Sequence, residues 1–306
     1  MDWKTELASI IQTPSNASKL RFGEPMSKHT YFGIGGRATA YVEVAAVQEL
    51  TAVAGLSKRC QIPVAFIGRG SNLLINDAGY DGIVIRLAGE FDQIEFNGNR
   101  VRAGAGVSLP KLSKTTARRG LSGAEFALGI PGSVGGALIM NAGAWGSCFA
   151  DLVEQIQVMS YDGELIDISR DEAQFGYRKS RLQDYLCAAG AVLNLTPGNS
   201  ETITARMQEL YKQKIESQPF VEDNAGCMFV NPPGSSAGKL IDECGLKGYR
   251  IGGAEVSRIH GNFIINAGAA TAQDVLTLTH RIQTHVKKEK GVNLQMEVKL
   301  LGFGDR

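Results

Sequence analysis

Short hydrophobic segments separated by glycine turns dominate residues 30–200 of the chain. Their length, their β-branched and aromatic residues and their flanking turns are typical of β-strands. The pattern predicts strands at residues 41–44, 64–67, 82–87, 94–96, 100–102, 155–159, 164–168 and 191–195. Two helices interrupt this series, one over residues 47–59 before Pro63 and one over residues 109–119 before Gly120.

The pattern changes after residue 195, where Pro197 and Gly198 indicate a boundary. A helix is predicted over residues 201–216 and a short one over 236–243. Thr271 and Asp274 form a capping-box pattern that opens a third helix, which runs to about residue 290. A final strand is predicted over residues 294–300. We therefore expect an α+β chain with a strand-rich region at 20–197, divided into two subdomains near residue 87, and a smaller α/β lobe at 198–306.

The balance of charges argues against a polyanion-binding protein. The 306 residues include 32 basic and 31 acidic side chains, with a formal net charge of +1. No nucleic-acid partner is therefore expected. Residues 1–11 lack the apolar core of a signal peptide, and no apolar run approaches the roughly 18–20 residues of a membrane span. We expect a cytoplasmic protein without a membrane partner, either a monomer or a weak homodimer.

The cysteines indicate neither a disulfide framework nor a metal cluster. There are five, an odd number, at positions 60, 148, 187, 227 and 244, and none forms a Cys-x-x-Cys pair. We predict reduced and mostly buried thiols, and no metal site.

Glycine is enriched, with 37 residues or about 12% of the chain against a usual ~7%. Three glycine-rich loops stand out, at residues 32–37, 68–73 and 129–137. Successive N–H groups in such loops can converge on a phosphate. Neither the Rossmann fingerprint nor the P-loop motif is present. Each loop alone is more simply explained as a tight turn in a β-rich protein, whereas the three together favour a dinucleotide held by backbone.

Eight segments in a fixed order give the chain a family resemblance. They are residues 29–36, 68–74, 129–137 with 141–144, 175–180, 226–232, 237–241, 256–266 and 294–298. Together they resemble the UDP-N-acetylenolpyruvoylglucosamine reductase family over nearly the whole chain. The short stretch between Gly176 and Gly226 is similar to the shorter type of that family.

The resemblance implies an FAD-binding fold of the PCMH or vanillyl-alcohol-oxidase type with a C-terminal α/β substrate lobe. It implies NADPH as hydride donor and UDP-N-acetylglucosamine enolpyruvate as substrate, reduced to UDP-N-acetylmuramate for peptidoglycan precursor synthesis. Hydride would pass from flavin N5 to C3 of the enolpyruvyl group, and a proton would be added at C2. The implied FAD contacts are Gly68, Arg69, Gly70, Ser71, Asn72, Leu73, Gly132, Ser133, Gly135, Gly136, Asn141 and Ala142.

Three catalytic residues follow from the resemblance. Arg178 matches the arginine that faces the enolpyruvyl carboxylate, a task suited to a planar guanidinium. Glu297, predicted on the last strand, is assigned to enolate stabilisation. Cys227 stands where the family commonly has a serine as proton donor. A thiol has a reference pKa of about 8.5 and can therefore donate a proton more readily than an alcohol.

Other positions are expected to contact substrate or depart from the family pattern. Tyr177, Asn231 and Lys239 are the expected substrate contacts. Val230 replaces a common basic residue, and Gln295 replaces a common glutamate. Two alternatives remain open: another flavin oxidoreductase of the same fold, and a catalytically silent UDP-sugar-binding paralogue.

Overall fold

The computed structural model describes residues 2–11 and 19–304. Within these ranges the chain forms seven α-helices: α1 (Trp3–Ile11), α2 (Val47–Cys60), α3 (Leu109–Arg118), α4 (Val134–Met140), α5 (Ser200–Ser217), α6 (Ala237–Glu243) and α7 (Ala272–Lys290). The same residues form nineteen strands: β1 (Lys19–Pro25), β2 (Arg37–Val44), β3 (Val64–Phe66), β4 (Leu73–Ile75), β5 (Tyr80–Leu87), β6 (Ile94–Asn97), β7 (Arg100–Gly104), β8 (Leu121–Ser122), β9 (Gly143–Ala144), β10 (Ser147–Cys148), β11 (Val153–Met159), β12 (Leu165–Ser169), β13 (Cys187–Asn194), β14 (Thr196–Pro197), β15 (Asn224–Cys227), β16 (Arg250–Ile251), β17 (Ala254–Val256), β18 (Phe263–Asn266) and β19 (Lys299–Leu301).

The first of two compact units comprises Met1–Phe22, Ala40–Arg69 and Gly82–Lys212. It contains an antiparallel five-stranded sheet in the order β12-β11-β13-β7-β6. Helices α3 and α4 contribute apolar residues to a core shared with this sheet, including Leu112, Leu138, Val101 and Leu193. Most of a second sheet, in the order β1-β2-β5-β3, also lies in this unit, with β3 parallel to β5.

The second unit comprises Gly23–Thr39, Gly70–Asp81 and Gln213–Arg306. It contains the antiparallel sheet β15-β18-β17-β16 and a parallel pair formed by β4 and β19. Its core takes apolar residues from all three segments, including Phe32, Leu74 and Ile264. The parallel pair therefore joins residues 73–75 to residues 299–301 within one unit.

Helix α7 shows how sequence fixes one element of this unit. The Thr271 hydroxyl accepts a hydrogen bond from Asp274 N–H, and the Asp274 carboxylate accepts one from Thr271 N–H, which completes the predicted capping box. The Asp77 carboxylate accepts two more, from Ala272 N–H at 2.9 Å and Gln273 N–H at 3.3 Å. Four donors of the first turn thus have acceptors, and the negative charge favours the positive end of the helix. Apolar side chains three and four residues apart bury the inner face: Val275, Leu278, Ile282 and Val286.

The predicted strands and helices up to residue 290 are confirmed, with end shifts of up to four residues. The predicted final strand over 294–300 was wrong in extent, because only Lys299–Leu301 forms a strand. Before it, Met296 makes an isolated antiparallel bridge to Phe229, and the chain then turns to pair in parallel with β4. Glu297 therefore lies where the backbone changes partner, and not inside a strand as predicted.

Helix α4 was not predicted. Residues 129–137 carry four glycines, and glycine weakens a helix by ~1 kcal/mol relative to alanine. The structure nevertheless begins the helix at Val134, with the Ser133 hydroxyl accepting a hydrogen bond from Gly136 N–H. Buried Val134, Ala137 and Leu138 hold it against the core of the first unit. Across residues 2–11 and 19–304, no helix combines the length and the apolar character needed to cross a membrane.

Candidate active site

The loop after β3 offers backbone donors in an uninterrupted series. The N–H groups of residues 68–72 donate to no group among the described residues. Gly70 has φ +69°, and a Cβ there would overlap the carbonyl oxygen of His29. Tyr31 N–H donates to the Gly70 carbonyl at 3.0 Å. The loop is thus shaped by glycine and keeps its donors available, as a diphosphate-binding loop requires.

The first unit places the start of this loop beside the start of α4. A Cβ on Gly68 would overlap Ser133 Oγ, so only glycine allows this close approach. Gly135 N–H donates to Ala105 O at 2.9 Å, and a Cβ on Gly135 would lie 3.0 Å from Ala105 Cβ. The predicted loop residues Gly68 and Ser133 are therefore brought together, whereas the N–H of Gly135 is committed to the protein backbone.

The end of α4 meets the turn that carries Arg178. Asn141, in the left-handed conformation with φ +41°, donates from Nδ2 to Gly176 O at 3.0 Å. Arg178 also has a positive φ, +57°, and its Nη1 donates to Gly143 O at 3.4 Å. Ala142 continues the segment, with its N–H donating to Ala137 O. Predicted cofactor residues and the predicted catalytic arginine are therefore neighbours in the first unit.

The second unit sets Cys227 at a bulge in β15. Gly226 has φ +77°, and its N–H donates to Asn224 Oδ1 at 2.8 Å. The register of β15 against β18 shifts between Asn224 and Cys227, which pairs with Phe263. Bulges redirect side chains and occur next to active sites. Cys227 is partly exposed at this position.

Glu297 is held against the residue that follows Cys227. Glu297 N–H donates to Met228 O at 2.9 Å, and Glu297 O accepts from Asn72 Nδ2 at 3.4 Å. Lys299 N–H donates to Asn72 O at 3.1 Å, so both the side chain and the main chain of Asn72 bond to residues 297–299. Three predicted residues, Asn72, Cys227 and Glu297, are thus assembled within one unit although up to 225 positions separate them.

Asn262 is a site residue that sequence reasoning missed. It is 2% exposed, its Nδ2 donates to Phe229 O at 2.8 Å, and its Oδ1 accepts from Phe229 N–H at 2.9 Å. Met228 N–H donates to Asn262 O at 2.7 Å. Asn262 therefore fixes the backbone directly after Cys227. An asparagine beside the apolar run Phe263–Ile265 was the available signal, because a buried amide needs partners.

The side chains of the three expected substrate contacts differ in whether their polar groups already bond within the protein. Asn231 Oδ1 accepts from Ala237 N–H at 2.9 Å and so supports the start of α6. Lys239 is solvated, with its Nζ 3.9 Å from a Glu243 carboxylate oxygen. Tyr177 is 58% exposed, and the Arg178 Cζ lies 5.3 Å from its ring centroid. Tyr177 and Lys239 thus present groups to solvent, whereas the Asn231 oxygen is used within the fold.

The titratable groups near these residues have structural roles. Burial lowers the pKa of His260, and nearby Lys247 lowers it further. His260 Nδ1 accepts from Asn262 N–H at 3.1 Å, which fits a structural hydrogen-bonding role. The prediction that most thiols are buried was wrong, since only Cys187 is buried, and burial raises its pKa to about 12. None of the five cysteines forms a disulfide. In the described part of the chain no group of three or more His, Cys, Asp or Glu side chains could hold a metal ion.

Comparison with known proteins gives matches along almost the whole chain. The family model described as UDP-N-acetylenolpyruvoylglucosamine reductase, C-terminal domain, matches residues 218–301, and the FAD binding domain model matches residues 38–169. UDP-N-acetylenolpyruvoylglucosamine reductase 2 of Symbiobacterium thermophilum is 44% identical over 297 residues, covering 97% of this chain and 96% of the relative. The reductase of Synechococcus elongatus is 43% identical over 305 residues, covering 97% and 98%.

One solved structure agrees with these sequence matches. UDP-N-acetylenolpyruvylglucosamine reductase from Thermus caldophilus superposes with a TM-score of 0.79 at 40% identity, covering 93% of this chain and 98% of that one. With the FAD binding domain match, this confirms the predicted fold class, an FAD-binding α+β fold followed by a C-terminal α/β lobe.

Proposed function

Because the chain belongs to the UDP-N-acetylenolpyruvoylglucosamine reductase family, we propose that it uses NADPH and FAD to reduce UDP-N-acetylglucosamine enolpyruvate to UDP-N-acetylmuramate, a step of peptidoglycan precursor synthesis. The observation that carries the proposal is the assembly of Asn72, Cys227 and Glu297 in the second unit. The residues proposed as proton donor and as carboxylate thereby lie in the same unit as residues 70–72, the part of the loop that this unit contains.

The chain's residues fit FAD. The N–H groups of residues 68–72 donate to no described group, and Gly68 and Gly70 leave room that a Cβ would fill. These donors would hold the diphosphate. The N–H groups of Gly132 and Gly136 are not among them, because they donate to Ile130 O at 2.8 Å and to Ser133 Oγ at 3.4 Å. When bound, FAD supplies the hydride that reaches C3 of the enolpyruvyl group.

Cys227 is the proposed proton donor at C2. Hydride addition at C3 leaves an electron pair on C2 and the adjoining carboxylate, and a proton at C2 completes the saturated lactyl ether. The Asn224–Gly226 bulge and the anchoring of Met228 by Asn262 keep the thiol at a defined place on β15. A fixed donor contributes on the order of 10²–10⁴-fold to such a step.

Arg178 and Glu297 are proposed to act on the developing charge. The guanidinium of Arg178 suits a carboxylate that becomes an enediolate, because preorganised donors stabilise charge that grows in the transition state. Glu297 organises the enolate side of the substrate. Its main chain is clamped between Met228 and Asn72, which restricts where the carboxylate can reach.

We further propose that residues 20–197, in two subdomains that divide near residue 87, bind FAD and that residues 198–306 bind the UDP-sugar. Tyr177 and Lys239 would contact substrate directly, since both present polar groups to solvent. Asn231 would act through its neighbouring backbone, because its side-chain oxygen supports α6. The two soluble reactants, NADPH and a UDP-sugar, support a cytoplasmic place of action.

The test is an anaerobic titration of the purified protein followed by visible absorbance. NADPH should bleach the bound flavin, and the enolpyruvyl sugar should restore its absorbance with one equivalent of UDP-N-acetylmuramate formed. Oxygen consumption with an alcohol would instead indicate a different flavin oxidoreductase. Bleaching without recovery would indicate a silent UDP-sugar-binding paralogue, and a protein without flavin would refute the proposal.

A further inference from the structure

We propose that Asn141 is a positioning residue for Arg178, because its side-chain amide fixes the turn that presents the guanidinium. The proposal rests on the proposed function, in which Arg178 contacts the substrate carboxylate. Every contact that carries it lies within the first unit.

Arg178 occupies an uncommon backbone conformation. Its φ of +57° lies in the left-handed region, which side chains other than glycine, asparagine and aspartate rarely adopt. The surrounding turn is closed by two backbone hydrogen bonds, from Gly176 N–H to Lys179 O at 2.9 Å and from Lys179 N–H to Gly176 O at 3.4 Å. A four-residue turn with a strained residue at its tip persists only where its surroundings hold it, and such sites cluster at active sites.

Asn141 supplies the central attachment of this turn. Its Nδ2 donates to Gly176 O at 3.0 Å, and its Oδ1 accepts from Ala150 N–H at 2.9 Å. The residue is only 8% exposed. Both ends of the amide are thus committed to the backbone, so the side chain acts by linking the turn to the segment at Ala150.

Two more contacts tie the turn to the same stretch of chain. Ser180, 6% exposed, donates from Oγ to Ile139 O at 2.9 Å. Arg178 Nη1 donates to Gly143 O at 3.4 Å, and its Nε is buried from solvent. The turn is therefore fastened to residues 139–143 at its start, at its tip and after its end.

Helix α4 connects these attachments to the predicted cofactor loop. The helix begins after Ser133, which lies in close contact with Gly68, and ends at Met140, directly before Asn141. A single short helix thus spans from the loop to the turn. The hydrogen bond from Asn141 Nδ2 to Gly176 O therefore links the end of α4 to the turn that carries Arg178.

Asn141→Asp tests this link with minimal change of shape. Aspartate tolerates the left-handed backbone, keeps an acceptor for Ala150 N–H, and places a carboxylate oxygen against the Gly176 carbonyl. We expect kcat to fall about 10- to 100-fold, the effect of a displacement near 1 Å. Flavin content should be preserved, because the Asn141 amide bonds to Gly176 O and Ala150 N–H and is therefore not the part of the residue that would hold FAD. The matched control is Asn99→Asp, which also removes Nδ2 donors, here to Asn194 Oδ1 and Leu195 O, and should stay within about twofold of wild type.

Combination with Arg178→Ala separates positioning from general destabilisation. If Asn141 acts through Arg178, adding Asn141→Asp to Arg178→Ala should cause little further loss in single-turnover flavin reoxidation. An equal loss in both backgrounds, or Asn141→Asp within about twofold of wild type, would overturn the proposal. A wild-type protein that never reoxidises its flavin would instead refute the proposed function.

An NMR measurement tests the effect of Asn141 on Arg178 independently of enzyme activity. The buried Nε–H of Arg178 should give a resonance that is absent from Arg178→Lys and shifted in Asn141→Asp. An unchanged resonance in Asn141→Asp would overturn the proposal. Should Asn141→Asp fail to fold, Asn141→Gly suits the left-handed backbone and removes the same hydrogen bond to Gly176 O. The same non-additivity with Arg178→Ala and the same shift are expected, and the absence of both would overturn the proposal.

Discussion

Replacement of Gly70 by alanine measures how tightly the backbone packs around the candidate cofactor loop. Gly70 has φ +69°, and a Cβ there would approach the His29 carbonyl well inside 3.0 Å, a separation that real Cβ atoms essentially never show. Since the obstacle is backbone, no side-chain rotation can relieve it. Gly245→Ala is the matched control, because Gly245 lies in the same unit at φ +68° with no atom within 4 Å of the added Cβ.

Both substitutions place alanine in a left-handed backbone conformation, but only Gly70→Ala also creates a steric overlap. The left-handed backbone penalises alanine by about 1–2 kcal/mol, and the reduced entropy of the unfolded chain offsets about 0.4–1 kcal/mol of this. Gly245→Ala should therefore lower the free energy of unfolding by about 1 kcal/mol. Gly70→Ala adds an overpacking strain of about 1–3 kcal/mol, for a total of about 2–4 kcal/mol, within the 5–15 kcal/mol of a typical domain.

Urea unfolding followed by circular dichroism, with bound flavin measured in parallel, provides the assay. Gly70→Ala should lose about 1–3 kcal/mol more than Gly245→Ala and should also bind less flavin, because the displaced loop carries the free N–H donors. Equal destabilisation of the two variants would refute the close approach of Gly70 to His29. Normal flavin content in Gly70→Ala would refute the role of the loop backbone.

Three further outcomes are expected. Cys227→Ser should remain active and Cys227→Ala should lose most turnover in NADPH oxidation, whereas near-normal product formation by the alanine variant would exclude the thiol as proton donor. Asp77→Ala should lower the free energy of unfolding by about 1–2 kcal/mol, since two N–H donors of α7 lose their acceptor, and Asp77→Asn should lose less. Burial lowers the pKa of His260, so the unfolded chain binds its proton more readily, and the stability that neutral His260 provides is complete above pH ~6.5 and is lost as the pH falls below it. Denaturation of His260→Gln between pH 5 and 8 should show a weaker pH dependence, and an unchanged slope would contradict this assignment.

Local rules were sufficient for the elements whose stabilising residues are close in sequence. Helix α7 was predictable because its cap, Thr271 and Asp274, and its apolar face follow one another along the chain. The eight strands of residues 41–195 were predictable because turn glycines separate them. The order of the motifs also identified the family, which the comparisons confirm.

Distant partners decided what local rules missed. The stretch 294–300 alternates apolar and polar residues like one strand, but Met296 bridges to Phe229, whereas the residues from Lys299 onward pair with β4. Helix α4 forms despite its glycines because a core packs against it. The partners of Asn141, at Ala150 and Gly176, are 9 and 35 positions away, so no local pattern could assign its amide.

The parallel pairing of β4 with β19 has a consequence for the order in which the protein can mature. A ribosome makes residues 73–75 well before their sheet partner, residues 299–301. Phe32, Ile34 and Leu74 belong to a core whose other members all follow residue 224. These apolar side chains lack their core partners until the residues after 224 have been synthesised. During such a period nascent proteins are prone to aggregation and chaperone binding. The loop at Gly70 runs directly into β4, so its final anchoring follows the synthesis of residues 299–301.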